Sequence, residues 1–128
     1  MAIVVKRKDR EAVDFARASI TVTGEDVGST IDFAGILGGF TIVAANVTVE
    51  KAFLNADNTI SIGLTGALGK FVPATAANAI KGIGFSNVQY KAEKPTSIFV
   101  DIKGTASTTG KAVVSIVYSK NASSRTDY

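Results

Sequence analysis

Short runs in which β-branched residues alternate with small polar ones constrain this chain more than any other feature. The clearest sets Ile60, Ile62 and Leu64 against Thr59, Ser61 and Gly63. Successive side chains of a strand point to opposite faces, so a period of two predicts an antiparallel strand with one face buried. Ser19-Ile20-Thr21-Val22-Thr23 repeats the pattern, and Val47 and Val49 alternate with Thr48 and Glu50. Ala112-Val113-Val114-Ser115-Ile116-Val117-Tyr118 is a denser apolar version. Turn signals punctuate these runs: Gly24-Glu25-Asp26-Val27-Gly28, Gly35-Ile36-Leu37-Gly38-Gly39, Asn55-Ala56-Asp57-Asn58 and the Gly/Thr-rich stretch Gly104 to Gly110.

Strands are therefore expected at 19–23, 29–33, 59–64, 87–91, 96–103 and 111–119, with 40–53 forming one bent strand or two successive ones. Residues 66–84 read as a long crossing segment. Within it Pro73 to Ile80, alanine-rich with proline leading and Gly82 closing, predicts one or two helical turns. Asp9 to Ala18 predicts a short helix with Ala12, Val13 and Ala16 on one side. Roughly seven or eight short strands joined by turns predict an all-β fold. The expected architecture is an antiparallel β-sandwich, jelly-roll-like, with one short helical insert and an extended N-terminal arm. The expected division is a charged arm at 1–18, a sandwich at 19–120 and a polar tail at 121–128. At 128 residues and 46% apolar the chain has material for one two-layer core. The seven phenylalanines, scattered one per element, read as core fillers, and Tyr90 and Tyr118 as residues of the sheet rim.

The chain has no histidine, no cysteine and no tryptophan. Histidine and cysteine supply most transition-metal ligands and many nucleophile–base pairs, so the common catalytic routes are closed. A Walker loop fails at Gly69-Lys70, where Leu64 and Phe71 hold its other key positions, and at Gly110-Lys111, where Thr105 and Ala112 do. Gly63, Gly66 and Gly69 are spaced wrongly for a dinucleotide fingerprint, and Gly82-Ile83-Gly84 lacks its third glycine. Glu25 and Asp26, even taken with Asp32, lack calcium-loop spacing, and the two read as residues of a solvated, glycine-flanked turn. Thr108 and Lys111 form a nucleophile–lysine pair only in outline, with no apolar pocket to depress the lysine. No catalytic residue, cofactor or metal site is expected; the chemistry is that of a β module that works by contact.

Net charge is +3, and four of the fourteen basic residues are Lys6, Arg7, Lys8 and Arg10. A terminal charge run is ordinarily a solvated tail. The functional reading is a contact arm: Ile3, Val4 and Val5 add to a neighbour's sheet edge while Lys6, Arg7, Lys8 and Arg10 meet an acidic protein surface. Asp9, Glu11 and Asp14 dilute the cluster and no aromatic stacking surface adjoins it, which argues against nucleic acid. The positive charges follow the short apolar run instead of preceding a longer one, so a secretory signal is not expected. No apolar run is long enough for a membrane-spanning helix.

Residues 40–119 resemble small virion structural proteins of tailed bacteriophages, above all capsid decoration (cement) proteins. The resemblance rests on Val47-Thr48-Val49-Glu50-Lys51-Ala52-Phe53, a polar turn, and Thr59-Ile60-Ser61-Ile62-Gly63. It continues through the alanine-rich connection at 74–80 and a closing hairpin, Thr108-Thr109-Gly110-Lys111-Ala112 into Val113-Val114-Ser115-Ile116-Val117-Tyr118. It implies a protein of the capsid surface, made in the host cytoplasm, that binds the major capsid protein of the mature head and bridges capsomers. By analogy it also implies a homo-oligomer, a dimer or trimer. The competing readings are another virion part (head–tail joining, tail or fibre-base protein) and a carbohydrate-binding β-sandwich.

Overall fold

Nine strands account for most of the chain in the computed structural model, which describes residues 15–85 and 88–120. They are β1 (Phe15–Thr23), β2 (Thr30–Ile36), β3 (Phe40–Lys51), β4 (Thr59–Leu64), β5 (Ala67–Ala76), β6 (Lys81–Phe85), β7 (Tyr90–Lys91), β8 (Thr96–Lys103) and β9 (Lys111–Lys120). One sheet runs β1-β9-β3-β6, with β7 also paired to β3; the other runs β2-β8-β4-β5. Every pairing is antiparallel. Because β6 and β7 pair successively with β3, they act as one interrupted strand. The connectivity is then a long hairpin, β1 on β9, β2 on β8, β3 on β6/β7 and β4 on β5, wound so that its arms alternate between sheets. That is the jelly roll.

Alternation decides which side chains meet between the sheets. Register places Val22, Ala112 and Val49 in one row of the first sheet, Ile20, Val114 and Val47 in the next, and Ala18, Ile116 and Ala45 in a third. From the second sheet Ile102 and Ile60 sit in one row and Ile31, Val100 and Ile62 in another. Ile36, Ile42, Ile60, Ile62, Ile98, Ile102 and Ile116 are fully buried. Each stabilises the fold by about 1.5–3 kcal/mol relative to exposure, which makes the core an aliphatic one. The phenylalanines contribute less than the sequence predicts. Phe53 and Phe71 are buried, but Phe15 is 60% exposed and Phe33, Phe40 and Phe99 are half-buried. Tyr118 stacks edge-on against Phe40, and Tyr90 against Phe71, at centroid distances of 5.8 and 5.4 Å.

Three further expectations do not hold. Pro73–Ile80 is not helical: its first half belongs to β5, and residues 77–80 connect to β6. Phe71 and Val72, which lead into it, are both buried, and Val72 pairs with Ile62 while Thr75 pairs with Ile60. An isolated two-turn helix is marginal, whereas the sheet edge offers a ladder and a core face together. Exposed Pro73 lies in the bulge between those pairs, where an edge strand tolerates a residue without an N–H. The helical element among the described residues is instead the 3-10 turn Gly24–Asp26, where the Asp26 carboxylate accepts from the Thr23 N–H at 2.8 Å.

The second correction concerns Asp9–Ala18: Phe15–Ala18 are the first residues of β1, paired with β9, and residues 9–14 lie outside the described residues. The third concerns β4, which is covered on both faces, with Ser61 and Gly63 buried as well as Ile60 and Ile62. From Ile62 to Leu64 β4 advances two residues while β5 advances five, from Val72 back to Ala67. The surplus arches over the outer face of β4.

Candidate interaction surfaces

The winding of the sheets gathers the β1–β2, β3–β4, β5–β6 and β8–β9 connections at one end of the sandwich. The β3–β4 loop begins there with Phe53, buried, whose N–H donates to Ala77 O at 2.9 Å. Asn58 closes it. This side chain is fully buried, and its amide is used from both ends: Oδ1 accepts from the Asn55 N–H at 2.9 Å, and Nδ2 donates to Thr105 O at 2.9 Å. Its own carbonyl accepts from the Ala77 N–H at 2.9 Å. A buried amide with unmet hydrogen bonds is costly, so this side chain fixes the β3–β4 loop against the β8–β9 connection, while its main-chain carbonyl ties in the β5–β6 connection.

Neighbouring side chains repeat the pattern. Asn55 Nδ2 donates to Thr105 O at 3.0 Å and Ala106 O at 3.1 Å. Ser107 Oγ accepts from the Leu54 N–H at 3.0 Å, and Thr109 Oγ1 donates to Ala52 O at 3.1 Å. The Asp57 carboxylate accepts from the Thr105 hydroxyl at 2.7 Å and from its N–H at 3.1 Å, and these donors hold its pKa below the ordinary carboxylate value. Gly104 makes this approach possible. Its φ is +114°, and an added Cβ would fall 2.8 Å from Asn58 Nδ2.

On this braced platform Leu54 is 60% exposed and Ile80 72% exposed, carried by loops that the Phe53–Ala77 bond joins. Large apolar side chains held out on a pre-organised backbone are suited to contact with another surface, because little ordering entropy remains to be lost. At the opposite end Phe15 and Leu37 are exposed in the same way. There β1 begins, as an edge strand whose one partner among the described residues is β9. An edge of nine residues is a template for strand addition.

The arm residues Ile3, Val4, Val5, Lys6, Arg7, Lys8 and Arg10 lie outside the described residues. The Asx chemistry of residues 55–58 is visible in the sequence as a turn. Its long-range partners Thr105, Ser107 and Thr109 are not, and neither Leu54 nor Ile80 stands out before the loops are placed.

No protein-family model matches the chain, and no curated protein matches it. Solved structures do share its fold. A chain in the acidic stable capsid of Helicobacter pylori bacteriophage KHP30 superposes with a TM-score of 0.68 at 14% identity, covering 84% of this chain and 88% of the other. One in the capsid asymmetric unit of cyanophage Pam1 gives 0.60 at 14% identity, with 84% of each chain covered. One in the capsid of Ralstonia phage GP4 gives 0.54 at 22% identity, covering 84% and 83%. At these identities the likeness is one of fold: the jelly roll of this chain is a fold that chains of bacteriophage capsids use.

Proposed function

We propose that this protein is a structural part of a bacteriophage virion, and within it a decoration protein that binds the outer surface of the mature head and bridges neighbouring capsomers. The observation that carries the proposal is the extent of the likeness. Three phage-capsid chains match over more than four-fifths of their own length, so each is a chain of similar size, built around one jelly roll. The braced loop end with Leu54 and Ile80, and the open edge of β1, supply the contact surfaces such a role requires. The mechanism needs no titrating group and no covalent step. A protein that binds the mature shell better than its precursor stabilises that shell by mass action, and many equivalent sites multiply the effect. The arm, through Ile3, Val4, Val5, Lys6, Arg7, Lys8 and Arg10, adds a contact to a neighbouring capsid subunit or a second copy of this chain.

Copy number and position in purified particles test this reading. Hundreds of copies spread over the outer shell are expected, with occupancy falling when residues 2–14 are deleted. A handful of copies at one vertex would assign the chain to a head–tail junction, and absence from particles would end the virion reading altogether.

A further inference from the structure

We propose that the outer face of the second sheet carries a binding groove for a neutral sugar, with Asp101 as its hydrogen-bonding centre and Phe99 as its stacking platform. Register builds the floor in three successive rows. Thr59 pairs with Lys103; Ser61 pairs with Asp101, which pairs in turn with Thr30; Gly63 pairs with Phe99, which pairs with Asp32. The arch of β5 forms the wall, since Leu68 and Gly69 rise over this face. A side chain at position 63 would collide with the carbonyl of Ala67, so glycine is what lets the arch close down. The result is a concavity of about 460 Å³ lined by Thr59, Ser61, Leu68, Asp101 and Lys103. A second lobe of about 280 Å³, against Phe99, Thr30 and Leu68, adjoins it at Gly66 and Leu68, which line both.

The chemistry of the floor selects the ligand. Asp101 is 5% exposed, yet its side chain points away from the aliphatic core, on the face opposite Val100 and Ile102. Its Oδ1 accepts from Thr30 Oγ1 at 2.8 Å, and its Oδ2 lies 3.5 Å from Lys103 Nζ. A carboxylate has about four acceptor positions, so these two partners leave acceptor capacity on a residue that lines the groove. The exposed Lys103 ammonium balances the charge, which disfavours a simple cation or anion as occupant. What remains is an array of acceptors beside donors: a carboxylate, an ammonium and the hydroxyls of Thr30, Ser61 and Thr59. Vicinal sugar hydroxyls each donate and accept, and match that array. The half-buried ring of Phe99, which lines the smaller lobe with Thr30 and Leu68, offers an apolar surface to the C–H face of the same sugar. The groove lies on a sheet face, not on the braced loops, and its existence does not depend on the virion role.

The intact chain, labelled with ¹⁵N, is screened on an array of neutral, sulfated and carboxylated oligosaccharides, and the best binder is then titrated by NMR. Amide shifts confined to residues 29–32, 59–75 and 97–103, which carry the lining, are expected. Asp101→Asn, which keeps an acceptor for Thr30, and Phe99→Leu, which keeps an apolar side chain but removes the ring, should each weaken binding about tenfold or more. The amide spectrum of each variant shows directly that it is folded, and either folded variant alone decides the outcome. Lack of any binder overturns the proposal. So do shifts that map to another surface, affinity unchanged in a folded variant, or binding restricted to sulfated or carboxylated glycans, which would assign the contact to Lys103.

Discussion

The two ends of the sandwich connect the same strands by different means. At the β3–β4 and β8–β9 end, side chains do the joining: Asn55, Asp57, Asn58, Ser107 and Thr109 each bond to backbone about 50 residues away in the chain. At the opposite end the β2–β3 and β7–β8 connections meet through the backbone. Gly39 N–H donates to Ala92 O at 2.7 Å, and Ala92 N–H donates to Phe40 O at 2.8 Å. Among the described residues the side-chain bond there, from Thr96 Oγ1 to Lys94 O at 2.7 Å, is local. Backbone bonds place a loop wherever the strands deliver it. Long-range side-chain bonds make the joining of loops depend on groups that a substitution can remove, whereas the backbone bonds of the second end survive side-chain replacement.

The largest expected effect tests that dependence. Asn58→Ala removes the acceptor of the Asn55 N–H and a donor to Thr105 O while leaving both groups in place. Stability should fall by about 2–4 kcal/mol in denaturant unfolding. A loss below about 0.5 kcal/mol would place this end on the same footing as the other. Next comes Gly104→Ala, which forces a side chain into a φ of +114° and toward Asn58. About 1–3 kcal/mol is expected. The pair should be less than additive, because both variants break the same contact between loops; a double-mutant cycle measures this directly. Thr96→Ala, which removes a bond spanning two residues, should cost at most about 0.5 kcal/mol.

The two ends also differ in how much their residues announce and how much only the fold assembles. The period of two in Thr59–Leu64 places Ile60 and Ile62 in the core without further information, and Asn55–Asn58 reads as a turn because its bonds close within three residues. The strand β5 is hidden by its own composition. Alanine, glycine and proline carry little β signal, and the segment becomes a strand because the edge of β4 and the burial of Phe71 and Val72 draw it in. Its arch in turn buries Ser61 and Gly63, which alternation alone assigns to solvent. Long-range partnerships are hidden for a different reason. Thr30 and Asp101 are 71 residues apart, and their meeting follows from the β2–β8 register, which no local pattern specifies. The same holds for Asp57 and Thr105.

That last pair carries the smallest expected effect and the sharpest check on the bracing. Asp57 is exposed, and its carboxylate pKa is lowered first by the Thr105 hydroxyl and then by the Thr105 N–H. The folded state therefore favours the ionised form more than the unfolded state does. The contribution is complete above the unfolded value of about 3.8 and fades as pH falls through the lower folded value. Between about pH 7 and 5 nothing should change. A ¹³C titration of the Asp57 carboxyl should give a midpoint below 3.8, and the Thr105 amide proton should shift with the same midpoint. In Asp57→Asn the Thr105 amide should not titrate there. A midpoint at or above 3.8 would mean that Thr105 does not hold the carboxylate in solution, and that bracing at this end rests on Asn55, Asn58 and Ser107 instead.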